Sequence, residues 1–217
     1  MTLTSIKDTE ALPEDWMSNL NSLKKLSIQG GPKLKSLSLA VPHLTSLEDL
    51  AILRCELFDS ISDTGDDGIE WQHLKCLSSL LYESVLNLKS IPSGLQHVTA
   101  LRKLKISNCP NLKIFPELAS VVYLHISSCH NLTSIDGIVN LTSLEELHIF
   151  DCPNLISLPD EMVSLKFLRK LAIAQCPDLE RRCERGIGED WFKIAHVPVF
   201  ETCLDHATRN ITSDLVG

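Results

Sequence analysis

The segment Leu144-Glu-Glu-Leu147-His-Ile149-Phe-Asp-Cys152-Pro-Asn-Leu155 decides how the rest of the chain is read. Leu147 and Ile149 flank a single residue, so in an extended strand both face one side and His148 faces the other. Cys152 follows where the chain turns inward again, and Leu155 re-enters the core behind it. One such unit cannot cover its own apolar face and must stack on copies of itself.

The copies run along nearly the whole chain. Leu101, Leu104, Ile106, Cys109 and Leu112 repeat the pattern, as do Leu168, Leu171, Ile173, Cys176 and Leu179. Val121, Leu124, Ile126, Cys129 and Leu132 give another, and Leu47, Leu50, Ile52 and Cys55 give one closed by Phe58. Two are degenerate: Leu23, Leu26, Ile28, Gly31, Leu34 and Leu77, Leu80, Tyr82, Val85, Leu88. The second leucine of each unit falls at Leu26, Leu50, Leu80, Leu104, Leu124, Leu147 and Leu171, in steps of 24, 30, 24, 20, 23 and 24 residues. The pattern L-x-x-L-x-L-x-x-N/C-x-L at this period resembles the leucine-rich repeat. The expected fold class is therefore α/β, a horseshoe-shaped solenoid with a parallel sheet on its concave face and short helical or irregular convex segments. Residues 1–180 are read as an array of about seven units, 181–198 as a C-terminal cap, and 199–217 as a loose polar tail.

Composition agrees. Hydrophobic residues are 44% and aromatics 5%, as a stack of leucines requires. The formal net charge of −8 argues against a general nucleic-acid binder or an anionic-membrane binder. No apolar run reaches the length of a membrane span, and Met1-Thr-Leu-Thr-Ser-Ile6 has no basic segment leading into an apolar one. Five of the eight cysteines (Cys55, Cys109, Cys129, Cys152, Cys176) share one repeat position. A small thiol there packs inside the turn and offers its S–H to a loop carbonyl. Register explains these cysteines without disulfides, and a reducing, cytoplasmic setting is expected.

Leu3-Thr-Ser-Ile6 matches the end of a unit, as in Leu132-Thr-Ser-Ile135, so the chain is expected to open just past a strand, as a piece of a longer array. The crossings Leu12-Pro-Glu-Asp-Trp16, Ile91-Pro-Ser-Gly-Leu95 and Leu158-Pro-Asp-Glu-Met162 put proline first and a core residue three places after it. That design predicts a helical turn with carboxylates near its positive end. Phe115 to Ser120 is too short for a helix. The long step holds an acidic insertion, Asp59 to Trp71, read as a solvated surface loop; it lacks calcium-loop spacing.

Catalytic patterns are missing: no phosphate loop, no G-x-G-x-x-G, no H-E-x-x-H and no G-x-S-x-G. The chain is therefore read as a non-enzyme without cofactor. His125 and His148 fall on neighbouring strands about 5 Å apart, yet no third metal ligand is evident. Sequons at Asn131, Asn140 and Asn210 follow from a repeat rich in Leu, Thr and Ser. What the pattern offers is a surface. The outward positions of the seven strands hold four lysines against three acids, a near-neutral face on an acidic protein. Tyr123, His125, His148 and Phe150 gather on two adjacent strands, with Lys103 and Lys105 beside them on one flank and Glu146 and Lys170 on the other. Aromatic residues on a rigid exposed sheet are what binding hot spots use. These eight are the candidate partner-binding residues; the alternative, that they are side chains tolerated on a wet surface, stays open.

The C-terminal string Gly188-Glu-Asp190-Trp191-Phe-Lys193-Ile194-Ala195-His196-Val-Pro198, after the Cys176-Pro-Asp-Leu179 unit, resembles the terminal repeat and cap of plant coiled-coil-type nucleotide-binding leucine-rich-repeat immune receptors. As a lid, Trp191, Ile194 and Val197 are expected to cover the last leucine layer, with Glu189, Asp190 and Lys193 in water. The resemblance covers about residues 1–198. It implies recognition of a pathogen effector or a host protein, and restraint of the receptor's nucleotide-binding switch domain. The coiled coil, phosphate loop and switch are not in this sequence, so ATP binding is not carried over. The substrate arm of a ubiquitin ligase, a cell-surface receptor ectodomain and a plain scaffold are the competing readings. The ectodomain reading is disfavoured because cysteine takes the asparagine position and no Gly-x-Ile-Pro follows.

Overall fold

The computed structural model describes residues 1–4, 9–12, 20–37, 39–58, 71–113 and 118–202. Nine strands form one open parallel sheet in chain order: β1 Thr2–Thr4, β2 Lys25–Gln29, β3 Asp49–Leu53, β4 Ser79–Glu83, β5 Lys103–Ser107, β6 Tyr123–Ser127, β7 Glu146–Phe150, β8 Lys170–Ala174 and β9 Val199–Thr202. The architecture is a leucine-rich repeat solenoid. β2 to β8 are the seven expected strands, and pairing is in repeat register, with Leu26, Leu50, Leu80, Leu104, Leu124, Leu147 and Leu171 in one row. Those leucines, the strand isoleucines and the loop leucines are buried in one continuous core. Tyr82 substitutes for the strand isoleucine in the degenerate fourth strand and is fully buried, its ring 6.4 Å from that of Phe58.

Each strand ends in the same turn. The residue after it takes positive φ: Gly30, Arg54, Ser84, Asn108, Ser128, Asp151 and Gln175. In Gly30 to Asp151 its N–H donates to the last carbonyl of the next strand, as Arg54 does to Glu83 at 2.8 Å. Left-handed backbone is costly for side chains other than glycine, asparagine and aspartate, so these inter-strand bonds hold the turn in place. The ladder cysteines follow directly. Cys55, Cys109, Cys129, Cys152 and Cys176 each donate S–H to the carbonyl two residues back, at 3.2 to 3.5 Å. All are free thiols. Where the repeat departs from cysteine, Val85 fills the site and is fully buried.

The convex crossings are short 3₁₀ turns: Val41–His43, Trp71–His73, Ser93–His97, Asp136–Asn140 and Asp160–Ser164. Pro92 and Pro159 open the third and fifth, and Leu95 and Met162 return to the core as expected. The Leu12 crossing lies largely outside the described residues (13–19), as does most of the short crossing (114–117) and the acidic insertion (59–70). Among the described residues the α-helices, α1 Pro177–Arg182 and α2 Trp191–Ile194, lie at the C-terminal end of the array, α1 starting in the last repeat and α2 in the cap.

Four expectations need correction. Leu3 does not follow a strand; it lies in one, paired with Ile28, and the resemblance to Leu132-Thr-Ser-Ile135 is overridden by this pairing. Trp71 is not in a solvated loop. It is fully buried at the start of a crossing, against Gly94, where an added Cβ would come within 2.7 Å of its ring. Val199–Thr202 is not loose tail: its alternation puts Phe200 and Thr202 inside and pairs with β8. Residues 203–217 lie outside the described residues. Finally, Asp190 and Lys193 are buried rather than wet.

That last correction explains the cap. The Asp190 carboxylate takes the Leu158 N–H at 3.0 Å while Lys193 Nζ donates to the Leu158 carbonyl at 2.6 Å. Arg182 meets both Asp190 oxygens, at 3.2 and 2.9 Å, and Lys193 pairs with Asp190 and Asp160. The acid–base pair thus satisfies both backbone polar groups of Leu158 at the end of the stack, which would otherwise be buried unpaired. Gly188 has no room for a side chain, since an added Cβ would sit 2.2 Å from the Arg182 carbonyl. Ile194 and Val197 cover the last leucine layer, and Trp191 packs partly buried against it, 5.9 Å from the Phe200 ring.

Candidate functional site

Parallel pairing brings outward residues of β5 to β9 into rows across the sheet. One row reads Lys103, Tyr123, Glu146, Lys170, Val199; the next reads Lys105, His125, His148, Ala172, Glu201; a third includes Ser107, Ser127 and Phe150. All eight residues expected from sequence lie on this face. The structure divides them by their contacts.

Four rings form a platform on β6 and β7. His148 is central, 5.2 Å from the Tyr123 ring, 6.1 Å from His125 and 6.4 Å from Phe150. His125 stacks on Phe150 at 5.7 Å with 28° between planes. Such spacings are those of favourable ring pairs, so the platform is preorganised. Ser127 donates to Ser107 at 3.0 Å along its edge. Lys105 Nζ lies 5.6 Å over the Tyr123 ring, within cation–π range.

The charges fall into two groups. Lys170 is held by Glu201 at 3.1 Å, and towards the other end of the same face Lys25 is held by Asp49 at 2.8 Å. Lys103 and Lys105 have no ion-pair partner among the described residues. Glu146 is exposed, its carboxylate 3.5 Å from His148 Nε2, yet that nitrogen is buried and makes no hydrogen bond. Glu201 is the site residue that sequence reasoning missed. Val199-Phe-Glu-Thr carries no apolar–polar alternation that would announce a strand; the in–out alternation is visible only in its burial.

Both imidazoles are held below the ordinary histidine range. Burial is the main cause for each; His148 and Lys105 add to it at His125, and Lys170 adds to it at His148 against the opposing pull of Glu146. Burial also pushes the Tyr123 hydroxyl up, with Glu146 reinforcing it. At neutral pH the platform is uncharged, and the lysines supply its positive flank. Among the described residues no group of three or more His, Cys, Asp or Glu side chains is placed to hold a metal ion.

Comparison with known proteins places this geometry. The leucine-rich repeat domain of the type III effector XopL superimposes with a TM-score of 0.67, over 93% of this chain and 75% of that one, at 21% identity. At that identity the likeness is one of fold. No family model matches the sequence. Two disease resistance proteins of Solanum bulbocastanum match locally: RGA4 is 44% identical over 41 residues, 19% of this chain, and RGA1 is 75% identical over 24 residues, 11% of this chain. Those matches span 4% and 2% of the relatives' own lengths. The chain is a leucine-rich repeat domain. Over those two stretches it is similar to plant disease resistance proteins.

Proposed function

We propose that this array is the recognition surface of a cytoplasmic plant immune receptor, acting by binding and not by catalysis. Its outward face over β5 to β7 takes a pathogen effector or a host protein that an effector modifies. The same array restrains the receptor's nucleotide-binding switch domain at rest. The observation that supports this most directly is the ring platform: Tyr123, His125, His148 and Phe150 packed together on a rigid sheet, beside two lysines with no ion-pair partner among the described residues. A surface already ordered loses little entropy on binding, and buried aromatic anchors carry most interface energy. Likeness to resistance proteins adds the setting. Among the described residues no helix is long and apolar enough to cross a membrane.

The test is the Tyr123→Ala/Phe150→Ala double variant, with partner capture read beside a circular dichroism melt. Each anchor is worth about 2 kcal/mol or more, so capture should fall at least about a hundredfold while the fold persists. Unchanged capture would remove this face from the proposal. Restraint is tested separately by co-purifying the switch domain at rising salt, because contacts between exposed charges weaken on screening.

A further inference from the structure

The chemistry of the platform identifies its visitor more closely. Four lysines stand on the outward face of the described strands, and the outer two are already neutralised: Lys25 by Asp49 across β2 and β3, Lys170 by Glu201 across β8 and β9. The inner two, Lys103 and Lys105, share β5, point the same way, and have no carboxylate within ion-pair distance among the described residues. Their row neighbours are Ser79 and Leu81 on β4 and Tyr123 and His125 on β6. Glu83, on β4, is a diagonal step from Lys105. So a chain with net charge −8 keeps two adjacent cations without an ion-pair partner, among the described residues, at the rim of this aromatic platform.

We propose that this site takes an acidic segment of a partner protein, two of its carboxylates meeting Lys103 and Lys105 and a neighbouring apolar side chain lying on the Tyr123–Phe150 rings. Charge complementarity carries the argument. A basic segment would face Lys103, Lys105 and the Lys170 end of the platform, and would leave both β5 cations buried against like charge. The inference rests on the binding face proposed above and adds the class of its partner.

The probe is a random twelve-residue peptide library displayed on phage and selected on the purified 217-residue chain. Selected peptides are then titrated against wild type, Lys103→Glu/Lys105→Glu and Tyr123→Ala/Phe150→Ala. Both lysines are exposed, so the charge-reversed variant should melt with wild type. The proposal expects selected sequences rich in Asp and Glu around an apolar residue. Their affinity should fall at least about tenfold in each variant, and also fall between low and high salt. Neutral or basic peptides lost on the ring variant but indifferent to charge reversal would overturn the acidic partner and leave the binding face standing. Peptides indifferent to both variants, or no binders at all, would overturn both.

Discussion

Replacing Asp190 with Asn tests whether the cap is held by charge. Asp190 is 1% exposed, and its carboxylate serves Arg182, Lys193 and the Leu158 N–H at once. Asparagine keeps the size and one acceptor but removes the charge, leaving Lys193, itself 6% exposed, without its buried counter-ion. Breaking a buried pair by removing one member costs about 3–5 kcal/mol. Lys193 keeps Asp160 and the Leu158 carbonyl, and Arg182 keeps Glu189, so about 2–3 kcal/mol is expected. In a chain of this size that is about 5–10 °C in Tm. Because a solenoid couples each unit mainly to its neighbours, the loss should open α1, α2 and β9 first. Hydrogen exchange over residues 177–202 should therefore rise more than over β3 to β6. Asp160→Asn is the control: Asp160 is 83% exposed at its side chain, and its pair with Lys193 should be worth under about 1 kcal/mol. The pH dependence has a definite sign. Burial pushes the Asp190 carboxyl up, but Arg182, Lys193 and the Leu158 N–H outweigh it and hold the group below its usual range. The stabilisation is thus fully present above about pH 4 and lost as pH falls through the lowered folded value. An Asp190→Asn protein that melts within about 1 °C of wild type, with unchanged exchange in the cap, would refute the reasoning.

Three further outcomes follow from particular contacts. Gly94→Ala should cost about 1–3 kcal/mol in a thermal melt, because its Cβ would come within 2.7 Å of the buried Trp71 ring; an unchanged Tm would mean the crossing can shift freely. Thiol labelling of a Cys203→Ser chain should modify Cys76 quickly and the six buried cysteines only on unfolding. Burial pushes Cys109 up to about 11 and Cys183 up to about 12, and the Cys129 thiol beside it together with burial pushes Cys152 up to about 12, so the reactive thiolate is scarce at neutral pH. Proton NMR titration should give His125 and His148 midpoints below the usual value of about 6.5. The unfolded chain binds protons first, so stability from these groups is full above about pH 6.5 and declines as pH falls toward the folded values; midpoints above it would contradict the burial of the platform.

Much of the fold could be read in the sequence because a parallel stack allows only one register. Once Leu147 and Ile149 face inward, His148 must face outward, and every neighbouring unit inherits that choice. Three features escaped the reading for physical reasons. The turn after each strand is a backbone conformation, and Arg54, Ser84 and Gln175 adopt positive φ there with no side-chain signature to announce it. The edge strands β1 and β9 lack the leucine–isoleucine pair: Leu3 stands alone, and Phe200 and Thr202 take the inward places. Asp190 and Lys193 looked wet because charge usually marks solvent, whereas here the backbone N–H and C=O of Leu158 call for one acceptor and one donor.

The site was legible in position but not in pairing. Register alone put Lys103, Lys105, Tyr123, His125, Glu146, His148, Phe150 and Lys170 on one face, with Lys103 and Lys105 beside the rings, yet said nothing of which lysines are ion-paired. Glu201 changes that, since it arrives on a strand hidden in the presumed tail and neutralises Lys170. With Lys170 and Lys25 both occupied, the positive potential of the face narrows to β5, next to the rings and not spread along the solenoid. A binding surface whose charge is confined to one strand selects by sign as well as by shape. The cap contributes at a distance: by pinning Leu158 it fixes the end of the stack from which β9, and so Glu201, is hung. Loss of Asp190 should therefore free Lys170 along with β9 and broaden the cationic strip, loosening discrimination against neutral partners before it abolishes binding.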